Sequence, residues 1–333
     1  MTLMVTGGAG YIGAHVVRRL RTAGHDVIVL DDLSTGSVDR IPPDVPLVVA
    51  SVSDRPVVRH ALQQHHVDGV IHLAAHKSVP ESMAAPMQYY RENVGGLTGL
   101  LEAMVDAGVG RLVFSSSAAV YGVPGASRVT EDDPTNPINP YGRTKLICEH
   151  LLADAAKAYG VSFIALRYFN AVGADEPWLA DRCSPNLFSC IFRAIANGAP
   201  VPVTGADHAT PDGTGVRDYV HIADLADAHV RAVDRLGGPP VAAVYNVGTG
   251  RGYSVLDVLD QVRLETGLPV GYRIDPARPG DPACVIADTS KIAGELSWQA
   301  QHDLESMVAS SWRASRPTPN AWPTRRILVA TRQ

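Results

Sequence analysis

The sequence predicts an α/β protein: a doubly wound parallel sheet with a smaller C-terminal lobe interleaved with it. Short apolar runs alternate with longer amphipathic stretches through the first half, and a glycine-rich turn follows the first run at once. The runs are continuously rather than alternately hydrophobic, as strands buried on both faces are. Leu3–Thr6, Val27–Leu30, Leu47–Val49, Gly69–Leu73, Leu112–Ser115 and Phe163–Leu166 are the strand candidates. Between them, Tyr11–Ala23, Pro56–His65, Pro86–Ala107 and Tyr141–Tyr159 have the length and spacing of amphipathic helices. Gly24, Gly108 and Gly160 stand where a C-terminal cap is needed. Such an alternation of strand and helix builds a parallel sheet covered on both faces.

After residue 170 the rhythm loosens into loops, with glycine-rich stretches at Thr204–Gly215 and Gly248–Gly252. Val216–His221 and Val244–Val247 read as strands that return to the main sheet, so the lobes are expected to interleave. The tail after Trp322 yields no reading, and no internal repeat is visible.

Composition narrows the classes. With 333 residues, 46% hydrophobic and 19% charged, the chain has ample material for a core. A net charge of −5 leaves no overall basic field to attract nucleic acid or acidic lipid. Cys148, Cys183, Cys190 and Cys284 show no C-x-x-C spacing, so reduced thiols are expected rather than a zinc or disulfide framework, and no metal is expected. No apolar run reaches the roughly 20 residues of a membrane helix. The first strand begins within three residues of Met1, leaving no room for a removable signal, and the cytoplasm is the expected location.

Gly7-Gly8-Ala9-Gly10-Tyr11-Ile12-Gly13 is a G-x-x-G-x-x-G variant of the dinucleotide fingerprint of Rossmann-type folds. Glycines there let a pyrophosphate approach peptide N–H groups at the positive end of the next helix and let that helix pack close to the sheet. Alone the pattern is weak; a strand before it and a carboxylate 18 residues beyond Gly13, at Asp31, strengthen it. Asp31 is placed to accept from ribose hydroxyls and to repel a 2′-phosphate, which favours NAD over NADP; capping a helix is the alternative job for Asp31 or Asp32.

Tyr141 and Lys145 lie four apart behind Pro140, a residue suited to the first turn of a helix, so both should share one helical face. A neighbouring ammonium and a positive nicotinamide ring would favour phenolate and lower the tyrosine pKa toward a range useful for a general base. Phe114–Gly122 is a hydroxyl-rich segment at the carboxyl end of the fifth strand, where ligands bind in open α/β sheets. Ser117 would complete a Ser–Tyr–Lys set; Ser115 and Ser116 could instead satisfy buried backbone groups.

Taken in order, Gly7–Gly13, Asp31–Gly36, Phe114–Gly122, Asn139–Lys145 and Leu166–Asn170 resemble the extended short-chain dehydrogenase/reductase pattern. Asp212–His221, Tyr245–Gly248, Ser254-Val255 and Arg278–Asp281 resemble the UDP-glucose 4-epimerase family within it, to about residue 315. The resemblance implies an NAD-dependent isomerase that interconverts UDP-galactose and UDP-glucose, with residues 1–170 and returning segments near 216–248 as a Rossmann domain and 171–333 mainly as a substrate-binding lobe. It implies cofactor contacts from Gly7, Gly10, Tyr11, Ile12, Gly13, Asp31, Asp32, Leu33, Ser34, Thr35, Gly36, Ser51, Val52, Leu73, Ala74, Ala75, Lys77, Asn93, Ser115, Tyr141, Lys145 and Tyr168. Substrate contacts are implied for Lys77, Ser117, Tyr141, Phe169, Asn170, Asn186, Leu187, Arg217, Tyr219, Arg278, Asp281 and Cys284. Two arginines against a diphosphate make forked, charge-assisted bonds that offset its desolvation.

Two positions depart from or refine that pattern. Ser51 stands where the family usually carries an Asp against the adenine, and Asp54 is out of register. Cys284 falls six residues after Arg278, where the family carries either a bulky Tyr or a small residue; the small side chain suggests room for a 2-acetamido group and hence for UDP-GlcNAc and UDP-GalNAc. The resemblance further implies a homodimer through Pro86–Ala107 and Tyr141–Tyr159, although Val94, Leu97, Leu101 and Val105 would equally fit docking onto the sheet. The competing readings are a nucleotide-sugar 4,6-dehydratase, a decarboxylase, a pentose or uronate 4-epimerase, and a non-catalytic dinucleotide-binding regulator. A dehydratase of this kind usually places Asp-Glu after the active-site hydroxyl residue, where this chain has Ala118-Ala119.

Overall fold

The structure, a computed structural model, describes residues 1–181, 186–277 and 281–316. Its strands, in chain order, are β1 (Thr2–Thr6), β2 (Asp26–Asp31), β3 (Leu47–Val49), β4 (Gly69–His72), β5 (Arg111–Ser117), β6 (Arg128–Val129) and β7 (Ser162–Tyr168). They continue as β8 (Asn170–Val172), β9 (Val201–Thr204), β10 (Val216–His221), β11 (Ala242–Val247), β12 (Gly252–Ser254), β13 (Tyr272–Asp275) and β14 (Cys284–Ala287). The apolar runs of the first half assemble into one sheet of order β11-β7-β5-β4-β1-β2-β3, with every neighbouring pair parallel. From β1 the chain winds out to β3 and then restarts at β4 on the other side, so β1 and β4 flank the switch point where such sheets bind ligands.

Continuous hydrophobicity is explained by cover on both faces. One face packs against Tyr11–Thr22 and Ile222–Leu236 through Val16, Val17, Leu20, Leu225 and Val233. The other packs against Arg55–Gln64, Gly96–Ala107 and Pro140–Tyr159 through Val58, Leu62, Leu100, Met104 and Leu152. A third core around Ile191, Tyr219, Leu259 and Met307 supports the smaller lobe, whose sheets run β12-β10-β14-β6, with β8 on β10, and β13-β9.

Three features differ from the sequence reading. β5 and β7 run on to Ser117 and Tyr168, which pair in register, because polar residues at a strand end keep their backbone ladder after hydrophobicity stops. Pro86–Ala107 is not one regular helix: Tyr90–Gly95 is a π-helical turn between two α-helical parts, and a single inserted residue leaves no mark on an apolar pattern. Val216–His221 does not join the main sheet. β11 takes that edge, while β10 pairs with β8, β12 and β14. The wholly buried Asp218 accounts for this, since its carboxylate accepts from the backbone amides of Thr249, Gly250 and Ala287 and so ties β10 to β14. Among the described residues no helix is long and apolar enough to cross a membrane.

Candidate active site at the switch point

The β1-to-helix turn lies against the segment that follows β4. A Cβ on Gly7 would stand 2.7 Å from the Ala74 amide nitrogen, and one on Gly13 would stand 2.1 Å from the Gly7 carbonyl oxygen. Gly7 also has φ +72°, which an L side chain resists. These approaches form a cavity of about 440 Å³ floored by Gly7, Gly10 and Gly13. The helix behind it begins at Gly10 with no side-chain cap and no acidic residue in its first turn, so its positive end faces the cavity uncompensated.

Tyr11, Ile12, Asp31, Asp32, Ser34 and Thr35 line the cavity, as do Ser51, Val52, Leu73, Ala74, Ala75 and Lys77. The Asp31 carboxylate already accepts from the Ala9 and Leu33 amides, at 2.9 Å each, and burial pushes its pKa up. It caps no helix; it braces the turn, and each of its oxygens retains a lone pair for a ribose hydroxyl. Leu33 and Gly36 do not line the cavity. Leu33 sits at φ 62° with its side chain on the core, and Gly36 packs under Ala9 and Asp31. Asp54, out of register in the sequence, caps the helix at Arg55–Gln64.

Sequence reasoning missed Arg40, His76 and Asp181, all of which line the cavity. Arg40 is buried and donates to the Ala180 carbonyl at 2.7 Å, Tyr11 donates to the Gly173 carbonyl at 2.6 Å, and Lys77 faces Asp181 at 3.6 Å. Together they draw residues 173–181 across the cavity. Partners so far apart in sequence leave no local signal. Asn93 does not line the cavity either: from the π turn its amide accepts from His76 N and donates to His76 O and Thr144 Oγ1, fixing the backbone just before Lys77.

At the carboxyl end of β5, Ser115 lines the cavity together with Tyr141, Lys145 and Tyr168. Asn139 caps the Pro140–Tyr159 helix by accepting from the Gly142 amide at 2.8 Å, and Pro140 occupies its first turn, which sets Tyr141 and Lys145 one turn apart on one face. Ser117 lies near the Tyr141 phenol without lining the cavity, and its hydroxyl accepts from the Ala119 amide at 3.2 Å. Lys145 Nζ donates to the Ser115 carbonyl at 2.7 Å and lies 5.9 Å from the Tyr141 ring centroid. The expected lowering of the tyrosine pKa is not present in the protein alone. Burial raises it, the nearby Ser117 hydroxyl opposes the rise, and the lysine itself is pushed down to about 8 by burial. Nor does Ser116 serve a backbone group; its hydroxyl donates to Glu149.

Tyr168 hydrogen-bonds His229 Nε2. His229 Nδ1 is 2.9 Å from the Leu225 carbonyl, so that nitrogen carries the proton, Nε2 accepts, and the phenol of Tyr168 donates.

Of the described residues expected to hold the nucleotide, none of those after Tyr168 lines the cavity, and Asn170, Arg217, Tyr219 and Cys284 stand on the second sheet. Arg217 on β10 makes a 2.5 Å ion pair with Asp281 and donates to its own strand at the Val216 carbonyl, while Tyr219 is buried edge-on against Phe188. Phe169 is buried, and Asn170 lies opposite Tyr219 on β8 with its side chain exposed. Asn186 caps the helix that starts at Leu187, and its amide reaches Asp181 at 3.3 Å, joining this region to the cavity wall. Cys284, half-buried on β14 opposite Val216, feels the Arg217 charge. Arg278, Cys183 and the tail after Trp322 lie outside the described residues. Cys148, Cys190 and Cys284 are free thiols. Among the described residues no group of His, Cys, Asp and Glu could hold a metal.

A glycine cradle at the switch point of a parallel sheet, with a serine, a tyrosine and a lysine converging on its far end, defines a dinucleotide-dependent protein of the extended short-chain dehydrogenase/reductase class. The sequence pattern of the NAD dependent epimerase/dehydratase family matches residues 3–248, and the chain belongs to that family. A UDP-glucose 4-epimerase of Lactobacillus helveticus is 41% identical over 327 residues, covering 97% of this chain and 99% of that protein. Among solved structures, a UDP-glucose-4-epimerase from Stenotrophomonas maltophila with bound NAD and formylated UDP-arabinopyranose is 42% identical, with a TM-score of 0.91 over 95% of this chain and 98% of the other. One from Bifidobacterium longum, in complex with NAD+ and UDP, is 39% identical, with a TM-score of 0.89 over 97% and 100%.

The buried lysine has a measurable cost. Its pKa falls from 10.5 in the unfolded reference to about 8 in the folded protein, so between those values the unfolded chain binds more protons. The penalty is full below about 8 and is relieved as pH rises toward 10.5. Lys145→Met in the cofactor-free protein should therefore raise stability at neutral pH by about 1–3 kcal/mol, and the gain should shrink at alkaline pH. Urea unfolding at several pH values measures it; a variant less stable than the parent at neutral pH contradicts this account.

Proposed function

We propose that the chain is an NAD-dependent UDP-glucose 4-epimerase, and that the observation carrying this is the placement of Tyr141 and Lys145 at the end of a dinucleotide cradle, with Ser117 close to the phenol. The residues present fit the cofactor. Backbone atoms crowd out any side chain where a pyrophosphate needs to approach, and Asp31 stands at the ribose end. When bound, NAD supplies a reversible two-electron acceptor for carbon 4 of the sugar. Tyr141 takes the proton from the 4-hydroxyl, and Ser117 holds that oxygen and the phenol in one hydrogen-bonded set. Lys145, held on the Ser115 carbonyl, together with the positive nicotinamide ring when NAD is bound, would favour the phenolate form of Tyr141 that takes this proton. The 4-keto sugar turns about its diphosphate link while Arg217 and Asp281 retain the nucleotide, and Tyr141 returns the proton once the opposite face has been reduced.

Ala118 and Ala119, following Ser117, have no proton to give, and this disfavours elimination of water across carbons 5 and 6. In the same proposal the first 170 residues with β11 carry the cofactor, and residues 171–333 mainly carry the sugar nucleotide. Cys284 beside Arg217 leaves space for a 2-acetamido group, which extends the substrates to UDP-GlcNAc and UDP-GalNAc. A second copy completes the assembly through the helices at Pro86–Ala107 and Pro140–Tyr159, whose Met87, Val105 and Ile147 are exposed while Leu97 and Leu101 are buried on the sheet.

Tyr141→Phe should lower kcat by at least about a thousandfold while bound NAD stays near the parental amount, followed by coupled assay from UDP-galactose and by cofactor extraction; near-parental turnover rejects the assignment. Cys284→Tyr should suppress N-acetyl sugar epimerisation at least about tenfold and leave UDP-galactose turnover within about twofold; equal rates on both sugars count against a specificity role. Sedimentation equilibrium should give twice the chain mass, and Met87→Glu with Ile147→Glu should return it to one; a parent that sediments as a monomer refutes the dimer.

A further inference from the structure

The helix that carries Tyr141 and Lys145 grips the end of β5 at a third point that the reaction itself does not use. Residues 141, 145 and 149 lie one turn apart along that helix, and each meets one of three successive serines. Tyr141 lies near Ser117, Lys145 donates to the Ser115 carbonyl at 2.7 Å, and the Ser116 hydroxyl donates to Glu149 Oε1 at 2.5 Å. Glu149 is in turn held by Arg167 of β7 through two parallel bonds, Nε to Oε1 at 3.0 Å and Nη2 to Oε2 at 2.7 Å. Both side chains are only 6% exposed. Arg167 Nη1 donates to the Tyr121 hydroxyl at 2.9 Å, and Tyr121 donates to Asn246 Oδ1 on β11 at 2.7 Å.

We infer that Ser116, Glu149 and Arg167 are positioning residues: they lock the catalytic helix to β5 and β7 in the register that sets the Ser117 hydroxyl against the Tyr141 phenol. A fully buried ion pair is a poor choice for stability alone, because desolvation consumes what the charges gain and an apolar pair of similar size does as well or better. What it does supply is direction. Forked bonds at fixed lengths, closed by hydroxyls at both ends, allow one placement of the helix, where apolar packing tolerates sliding. The serine run gives the same answer. Side chains alternate along a strand, so Ser116 faces away from Ser115 and Ser117, and its hydroxyl reaches the carboxylate without entering the cavity. Reactive geometry is steep in distance, and a misplacement of roughly 1 Å costs about a hundredfold in rate.

The inference rests on the epimerase reading, and the test separates the two. Ser116→Ala removes one buried hydroxyl and leaves the ion pair whole, so the fold is retained. It should lower kcat about five- to twentyfold, with KM for UDP-galactose within about twofold and with bound NAD and melting temperature near those of the parent. The paired change Glu149→Met with Arg167→Met removes both charges together and leaves neither alone in the interior. It should hold the melting temperature and lower kcat by at least about fiftyfold. Parental kcat in Ser116→Ala, or in a folded double variant, overturns the positioning role. So does a rate loss that tracks loss of bound NAD. An inactive parent overturns the epimerase reading and this inference with it, whereas an active parent matched by its variants overturns the inference alone.

Discussion

The site depends on one ammonium taken out of water. Lys145 is buried with its Nζ on a strand carbonyl, and among the described residues no carboxylate forms an ion pair with it; Glu149 acts on it only at a distance. A cation in that position is poised. Burial has already brought its pKa down to about 8, so any new electronegative partner nearby is welcomed. A phenol that gives up its proton is such a partner, and Tyr141, one turn away and itself held neutral by burial, is the nearest candidate. Each group alone is disfavoured as an ion, and the pair of opposite charges is not.

This explains why the surrounding structure is so heavily cross-braced. An unpaired buried cation would draw water or pull its helix outward. Here the helix is fixed by its Asn139 cap, by the serine carbonyl and hydroxyls of β5, and through Asn93 and Thr144 to the π turn in front of it. The π turn is part of the same device. It places an amide, Asn93, that holds both backbone polar groups of His76 and so fixes the chain entering Lys77.

Most of the architecture was legible in the sequence. Continuous apolar runs, glycine caps and the G-x-x-G-x-x-G turn marked the main sheet, because burial on both faces and close backbone approach both dictate residue type locally. Tyr141 and Lys145 were legible for the same reason, since helical spacing alone puts them on one face. What escaped were long-range choices. No local pattern says that Val216–His221 forms a second sheet while Ala242–Val247 completes the first; the buried Asp218 decides it by bonds to residues far along the chain. Arg40 carries no local signal, and its bond to Ala180 is what ties it into the cavity wall. That burial raises the tyrosine pKa in the protein alone was not legible, because spacing reveals a neighbouring cation but not how dry the pair is.

The two sheets divide the demands of a reaction that must return its electrons to the substrate it took them from. The seven-stranded sheet is rigid where a cofactor has to stay. Its cradle is backbone, and residues 173–181 are drawn across it by Tyr11, Arg40 and Lys77. The second sheet offers side chains in place of backbone. In the protein alone Arg217 and Asp281 pair with each other, so the guanidinium already holds one anion where the proposed diphosphate would take its place. In the proposed reaction the diphosphate joins the two sheets' tasks, since a sugar tethered through it can present its other face while the nucleotide stays in place.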